Sequence, residues 1–212
     1  MTKFAFLFDP DNDWLSASFS QDVFDRADWD IATFHAPEQI RGYDVVVILG
    51  YTKILPPEFL DQNQLNVVVH ESALPDGKGF APVQWQILEG KTEIPVCLIE
   101  ATSQVDGGDI LMTDVITLTG YELYDDIRAA QAAATQRIVR CFLEVYPNYS
   151  RQAQHGDGTV YPRRKAADGE LDINQTLRSQ FDLLRIGNND GWPAFFEVDG
   201  RKYVLKIYSD DS

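Results

Sequence analysis

Cysteine is nearly absent: the 212 residues contain only Cys97 and Cys141. Neither has a second cysteine or a histidine at ligand spacing, which excludes a structural zinc site. Cys97 falls in the run IPVCLIE and Cys141 in RIVRCFLEV, so both are expected to be buried small side chains. Long apolar runs are missing too. No segment approaches the roughly 20 residues needed to cross a bilayer. The first run, FAFLF, is too short for a signal-peptide core, and an acidic cluster follows it. A cytoplasmic protein without membrane contact is therefore expected, and that compartment argues against a disulfide. Positive charge is scarce: 18 Lys and Arg stand against 33 Asp and Glu, a formal net charge of −15. Such a field repels phosphate backbones, so no nucleic-acid partner is expected. The exception is a local basic cluster at Arg163, Arg164 and Lys165, which suits either an anionic ligand or a solvated surface. No G-x-G-x-x-G follows the first strand-like run, where DPDND stands instead, so a dinucleotide-binding oxidoreductase is set aside.

What is present reads as α/β. The length allows one good-sized core and a small appendage. Apolar, strand-like runs occupy residues 3–9, 30–35, 44–49, 66–70, 94–101 and 109–118, and the nearly continuous ones suggest strands buried on both faces. DPDNDW reads as a turn-rich loop. Residues 82–90 form a short helix with Pro at its first turn and Gly at its end. Residues 122–145 predict a long helix, Ala-rich, with apolar spacing of three and four at Ile127, Ala130, Ala134, Ile138, Phe142 and Val145. Pro147 ends it. The polar stretch 148–170 reads as a linker, and 173–185 as a helix burying Leu177, Phe181 and Leu184. Asp199-Gly200, between two alternating strands, is the strongest hairpin signal. The expected architecture is a mostly parallel twisted sheet flanked by helices over 1–147, a linker over 148–170, and a helix-plus-hairpin unit over 171–212. The hairpin offers an edge strand for pairing into a homodimer.

His70 ends the strand NVVVH and begins the loop ESALPDGKG. A titratable ring at a strand end, before a Pro- and Gly-rich loop, sits where reactive groups are commonly presented. His35 and His155 carry no such context. In VDGGDIL, Asp106 and Asp109 flank two glycines between strands. A tight turn explains this segment alone. The glycines also permit close approach to a ligand, and a carboxylate beside an imidazole is a natural acid–base pair.

The ordered string His70-Glu71-Ser72-Ala73-Leu74-Pro75, then Gly79-Phe80-Ala81-Pro82, a helix ending ILEG, and VDGGDIL resembles the formyltransferases that use 10-formyltetrahydrofolate. That family includes methionyl-tRNA formyltransferase, glycinamide ribonucleotide transformylase and sugar N-formyltransferases. The resemblance covers residues 44–118 well, and continues more faintly in LDINQTLRSQFDLLRI and PAFFEVDGRKYVLKI. It implies a Rossmann-like fold, no metal, and His70 and Asp106 as the catalytic pair. Ser72, Ala73, Leu74 and Pro75 match the loop against the folate, and Glu100 to Val105 should border the pterin pocket. The family's asparagine two residues before the histidine is Val68 here, which cannot donate to an oxyanion. Such a donor is worth on the order of 3 kcal/mol. Asn66, brought in by a strand bulge, or Gln84, or a backbone amide, would have to replace it.

Among acceptors, the strings HESALPDGKGFAPVQWQILEG and FDLLRIGNNDGWPAFFEVDG look most like the branch that formylates nucleotide-linked amino sugars, such as 4-amino-4,6-dideoxy sugars for surface polysaccharide (lipopolysaccharide O-antigen). Asn12, Asp13 and Trp14 stand where the sugar would lie, with a surface turn as the alternative. Tyr161, Arg163 and Arg164 are candidates for the diphosphate or the base, with plain surface as the alternative. Trp85 and Trp192 read as packing residues. Two other functions remain open: a formyl-folate hydrolase, using the same pair on water, and a non-catalytic folate- or nucleotide-binding homologue, because of Val68.

Overall fold

The computed structural model describes residues 1–9, 13–19 and 21–210. Six strands form the central sheet: β1 (Thr2–Phe8), β2 (Trp29–Phe34), β3 (Val45–Leu49), β4 (Asn66–His70), β6 (Glu93–Glu100) and β7 (Ile110–Thr117). Between β4 and β6 lies a two-residue strand, β5 (Lys78–Gly79), outside this sheet. The order is β2-β1-β3-β4-β6-β7. β2, β1, β3 and β4 are parallel neighbours, and β6 runs antiparallel to both β4 and β7. The reversed strand is therefore β6 alone, and the sheet is mostly parallel. The chain leaves β1 for opposite sides, to β2 and to β3, and this switch opens a crevice beyond the carboxyl ends of those strands.

Side-chain alternation builds two layers. Phe4, Phe6, Val45, Val47 and Val67 face the long helix α4 (Tyr124–Val145) and form the larger core with Ile138, Val139 and Phe142. Each fully buried phenyl contributes about 1.5–3 kcal/mol. Ala5, Leu7, Val46 and Ile48 face the other way, against Ile40, which follows a 3-10 turn at Pro37–Gln39, and against Phe59 of the short helix α2 (Pro57–Leu60). α4 forms because residues 129–134 read AAQAAA, with high helix propensity, and Asp125 and Asp126 sit in its first turn. Its buried face is wider than apolar spacing shows, since Gln131 and Thr135 lie inside, whereas Val145 is exposed. The helix α3 (Pro82–Leu88) begins with Pro at its first position, as expected.

Several expectations change. DPDNDW is not only a turn: residues Asp13–Ser18 form the helix α1. Cys141 is exposed, because α4 turns it away from the sheet, whereas Cys97 is buried. The segment 148–170 is bonded to the sheet domain. Gln152 and Ile110 exchange backbone hydrogen bonds of 2.8 and 2.9 Å, and β8 (Val160–Tyr161) pairs in parallel with β5. Only Phe181–Arg185 of the expected helix 173–185 is α-helical (α5), after a 3-10 turn at Arg178–Gln180. The reason is local: the Asp172 carboxylate accepts the Asn174 N–H at 2.9 Å and holds the chain in a turn, leaving Leu177 exposed. The hairpin is as expected, with β9 (Ala194–Val198) and β10 (Arg201–Leu205) joined at Asp199 (φ +49°) and Gly200 (φ +73°). Left-handed backbone at both positions matches the twist of the strands.

Candidate active site

His70 is the last residue of β4, opposite Cys97 of β6, and is 6% exposed. Its Nε2 lies 2.8 Å from the Gly77 carbonyl oxygen. A carbonyl only accepts, so Nε2 carries the proton. Nδ1 lies 3.6 Å from Oδ1 of Asp106. Both ring nitrogens thus face oxygen.

Asp106 sits in the turn between β6 and β7 with left-handed backbone (φ +51°). Its Oδ2 accepts the Gly79 N–H at 2.8 Å, so one carboxylate joins the histidine loop to the β6–β7 turn. Gly108 is required there for packing: an added Cβ would stand 1.9 Å from the Glu100 carbonyl oxygen. That glycine admits the chain's own backbone rather than a ligand, as expected of a tight turn. Gln154 closes the arrangement, its Nε2 donating to the Asp106 oxygen at 2.9 Å and to the Gly108 oxygen at 2.7 Å. The Thr159 hydroxyl accepts the Gly77 N–H at 2.9 Å, and its carbonyl accepts the Lys78 N–H at 3.0 Å, which fixes the peptide whose oxygen meets His70. Both residues belong to the segment read as a linker.

His70 lines a cavity of about 440 Å³ at the switch-point crevice, with Glu71, Gln84, Trp14, Arg128, Arg164 and Trp192 among its walls; Asp106 does not line it. Arg128 lies 4.6 Å over the Trp14 ring and 5.1 Å over Tyr124. Burial pushes the Arg164 guanidinium below its ordinary value, and its Nη1 has no hydrogen-bond partner among the described residues, although Nη2 donates to the Asp168 carbonyl oxygen.

Of the residues singled out from sequence, Gln84 is buried in the first turn of α3 and shares the cavity with His70. Asn66 does not reach it. β4 pairs in regular register with β6, without a bulge, and the Asn66 amide donates to the Leu60 oxygen at 2.9 Å. Val68 pairs with Ile48 and Ile99 and packs among apolar side chains. The run Ser72 to Pro75 lies apart from the main cavity. Ser72 and Ala73 line a separate one of about 300 Å³, Leu74 is buried with Cys97, Ile99 and Ile110, and the Leu74–Pro75 peptide is cis. Glu100 forms an ion pair with Arg151, and Val105 is exposed beside Asp106. Asn12 lies outside the described residues, and Asp13 contributes backbone to α1; Trp14 lines the cavity. Tyr161 stacks on Trp85 and donates to Glu89, and Arg163 covers Phe80, so of the basic cluster and its neighbour tyrosine it is Arg164 that enters the cavity wall. Trp192 is more than a packing residue, being 58% exposed on the cavity rim.

Glu71, Arg128, Gln131, Gln154 and Thr159 were missed in the sequence. The one available signal was Gln131, a polar residue in the apolar period of α4. Among the described residues, no group of three or more His, Cys, Asp or Glu could hold a metal, and no helix is long and apolar enough to cross a membrane.

A family model described as Formyl transferase matches residues 20–139. The methionyl-tRNA formyltransferase of Desulfotalea psychrophila is 29% identical over 176 residues, covering 79% of this chain and 54% of that protein. The chain thus spans about half the length of the curated relatives it matches. Among solved structures, methionyl-tRNA formyltransferase from Clostridium thermocellum superposes with a TM-score of 0.83 at 19% identity, over 99% of this chain and 93% of that one. A 4-N formyltransferase from Francisella tularensis gives 0.76 at 16% identity, over 97% of each chain. These two likenesses are of fold.

Proposed function

Because the chain belongs to the formyl transferase family, matched over residues 20–139 of its 212, we propose that it moves a formyl group from 10-formyltetrahydrofolate to the amine of a nucleotide-linked amino sugar. The observation carrying this reading is the cavity itself. His70, braced by Asp106 at 3.6 Å, lies on a wall that also holds two guanidinium groups and two indoles. Such a wall suits an acceptor with an amine at one end and a phosphorylated ring system at the other. A net charge of −15 favours this small anion over a tRNA backbone. The sugar reading fits a 4-amino-4,6-dideoxy sugar by the sequence resemblance.

Two observations support a folate donor: Val105 is exposed beside Asp106, and the buried Ser72 hydroxyl has no hydrogen-bond partner among the described residues. By the sequence resemblance, Val105, Glu100 and the Ser72–Pro75 loop would hold it, although Ser72 lines a cavity separate from that of His70 and Leu74 is packed in the core. Bound, the folate would supply an electrophilic formyl carbon and an amine leaving group. His70 holds a proton at Nε2 that it passes to the departing amine nitrogen by exchanging the Gly77 carbonyl for substrate, and the proton lost by the attacking amine then restores it. Asp106 orients the ring and stabilises its charged form through Nδ1. Gln84 takes the oxyanion-donor role that Val68 cannot fill.

The test supplies purified protein with formyl-folate and a panel of nucleotide-linked 4-amino sugars, and watches for a product heavier by one formyl unit. Formate release at equal rate without any amine would make the protein a hydrolase. Binding without turnover would make it the non-catalytic homologue.

A further inference from the structure

Glu71 follows His70 in the chain and lines the same cavity, yet takes no part in the proton handling assigned to His70 and Asp106. Its Oε1 accepts a hydrogen bond from Nε2 of Gln131. The Oε1 of Gln131 in turn accepts from Nη1 of Arg128 at 2.7 Å. An arginine only donates, so the Gln131 amide is oriented from one side: oxygen to Arg128, nitrogen to Glu71. Gln131 is 5% exposed, on the buried face of α4, and the Arg128 guanidinium itself lies over the rings of Trp14 and Tyr124. The Glu71 carboxyl is therefore held in one pose by a chain of three side chains.

Only one of its oxygens is used. Among the described residues, Oε2 has no hydrogen-bond donor, and no lysine or arginine forms an ion pair with Glu71. A half-buried carboxylate without a counter-charge, on the wall of a cavity, is electrostatically incomplete. A metal ion is a poor complement, since among the described residues no group of three His, Cys, Asp or Glu side chains stands there. A primary ammonium is a good one, being compact, cationic and rich in N–H donors. Asp106 cannot serve in its place: Oδ2 is taken by Gly79, Oδ1 faces His70, and the side chain does not line the cavity.

We propose that Glu71 is the counter-ion that binds the protonated amine of the acceptor and holds it beside His70, where the ammonium gives one proton to solvent before the neutral amine attacks. This rests on the reading of the acceptor as a nucleotide-linked amino sugar. Glu71 thereby distinguishes an amine from a hydroxyl at the transfer position, while the guanidinium and indole groups bind the rest of the molecule.

The experiment is calorimetric titration of the full chain with dTDP- and UDP-linked 4-amino-4,6-dideoxyglucose and with their 4-hydroxy counterparts. Wild-type protein should prefer the amine by tenfold or more in Kd, the range of one charge-assisted hydrogen bond. Glu71→Gln keeps an acceptor oxygen for Gln131 and removes only the charge, so it should fold as wild type and bind amine and hydroxyl alike. Should that variant fail to fold, Glu71→Asp reads the same point: its shorter carboxylate should lower the preference severalfold. A preference retained in Glu71→Gln, or unaltered in Glu71→Asp, would overturn the proposal and leave Glu71 as a brace for α4. Wild-type binding without any preference for the amine would overturn it alone. No wild-type binding of either probe would overturn the substrate reading, and this proposal with it.

Discussion

Replacing Gln154 by alanine tests whether the segment 148–170 belongs to the reactive centre. The side chain donates two short hydrogen bonds, to the carbonyl oxygens of Asp106 at 2.9 Å and Gly108 at 2.7 Å. Stranding a buried acceptor costs about 1–3 kcal/mol. The Oε1 of Gln154 is buried without a hydrogen-bond partner among the described residues, and deleting it returns about 1 kcal/mol. Stranding both acceptors at about 1.5 kcal/mol each, less that return, leaves a net loss of about 2 kcal/mol, which for a chain of this size lowers Tm by roughly 4–8 °C. The turn it clamps carries Asp106 in left-handed backbone, a conformation that costs about 1–2 kcal/mol for a non-glycine residue. Released from Gln154, that turn relaxes and carries the carboxylate away from His70. A displacement near 1 Å costs on the order of a hundredfold in rate. Gln152→Ala is the matched control, because Gln152 meets Ile110 through backbone alone and its side chain is exposed. Thermal unfolding and formyl-transfer kinetics on both variants provide the readout. If Gln154→Ala behaves like Gln152→Ala, within about 0.5 kcal/mol and with unchanged kcat, the segment is a passive connection and the reasoning fails.

Further outcomes follow from the same geometry. His70→Ala and Asp106→Ala should each lower kcat/KM for formyl transfer by well over tenfold, a barrier change above about 1.4 kcal/mol; rates within tenfold of wild type would remove these residues from the mechanism. Gly108→Ala forces a Cβ against the Glu100 carbonyl and should cost about 1–3 kcal/mol in denaturant unfolding, together with activity, because the Asp106 turn must shift. Burial pushes the Glu122 carboxyl up but is outweighed by hydrogen bonds from the Thr119 N–H and hydroxyl and the Gly120 N–H, which hold it down to about 2. Its folded value is depressed, so its stabilisation is present above pH 4.5 and lost as pH falls toward 2. Glu122→Gln should remove about 1–2 kcal/mol of stability at pH 7, allowing for partial exposure, and nothing near pH 2. Equal losses at both pH values in urea titrations would contradict this.

The strands and α4 were legible because their patterning is local. FAFLF and VVVIL mark strands covered on both faces, and the Ala-rich period marks a helix on a sheet. Asp199-Gly200 specified its turn through backbone preference alone. The helix expected over 173–185 failed because a single Asp172 side chain competes for the backbone, an effect that apolar spacing does not register. Val145 and Cys141 failed because a 3.6-residue period marks a stripe and not its edges.

The candidate site divides along the same line. His70 and Asp106 stood out through their strand-end and turn contexts and through the motif string, all short-range patterns. The distance between them is a tertiary fact. So are the bonds from Gln131 to Glu71, 60 positions away, and from Gln154 to Asp106, 48 positions away. One-dimensional order fixes which face of its own element a side chain takes. What it meets across that face depends on how the layers stack, so packing alone decided that Glu71 enters the cavity and that an apparent linker clasps the Asp106 turn.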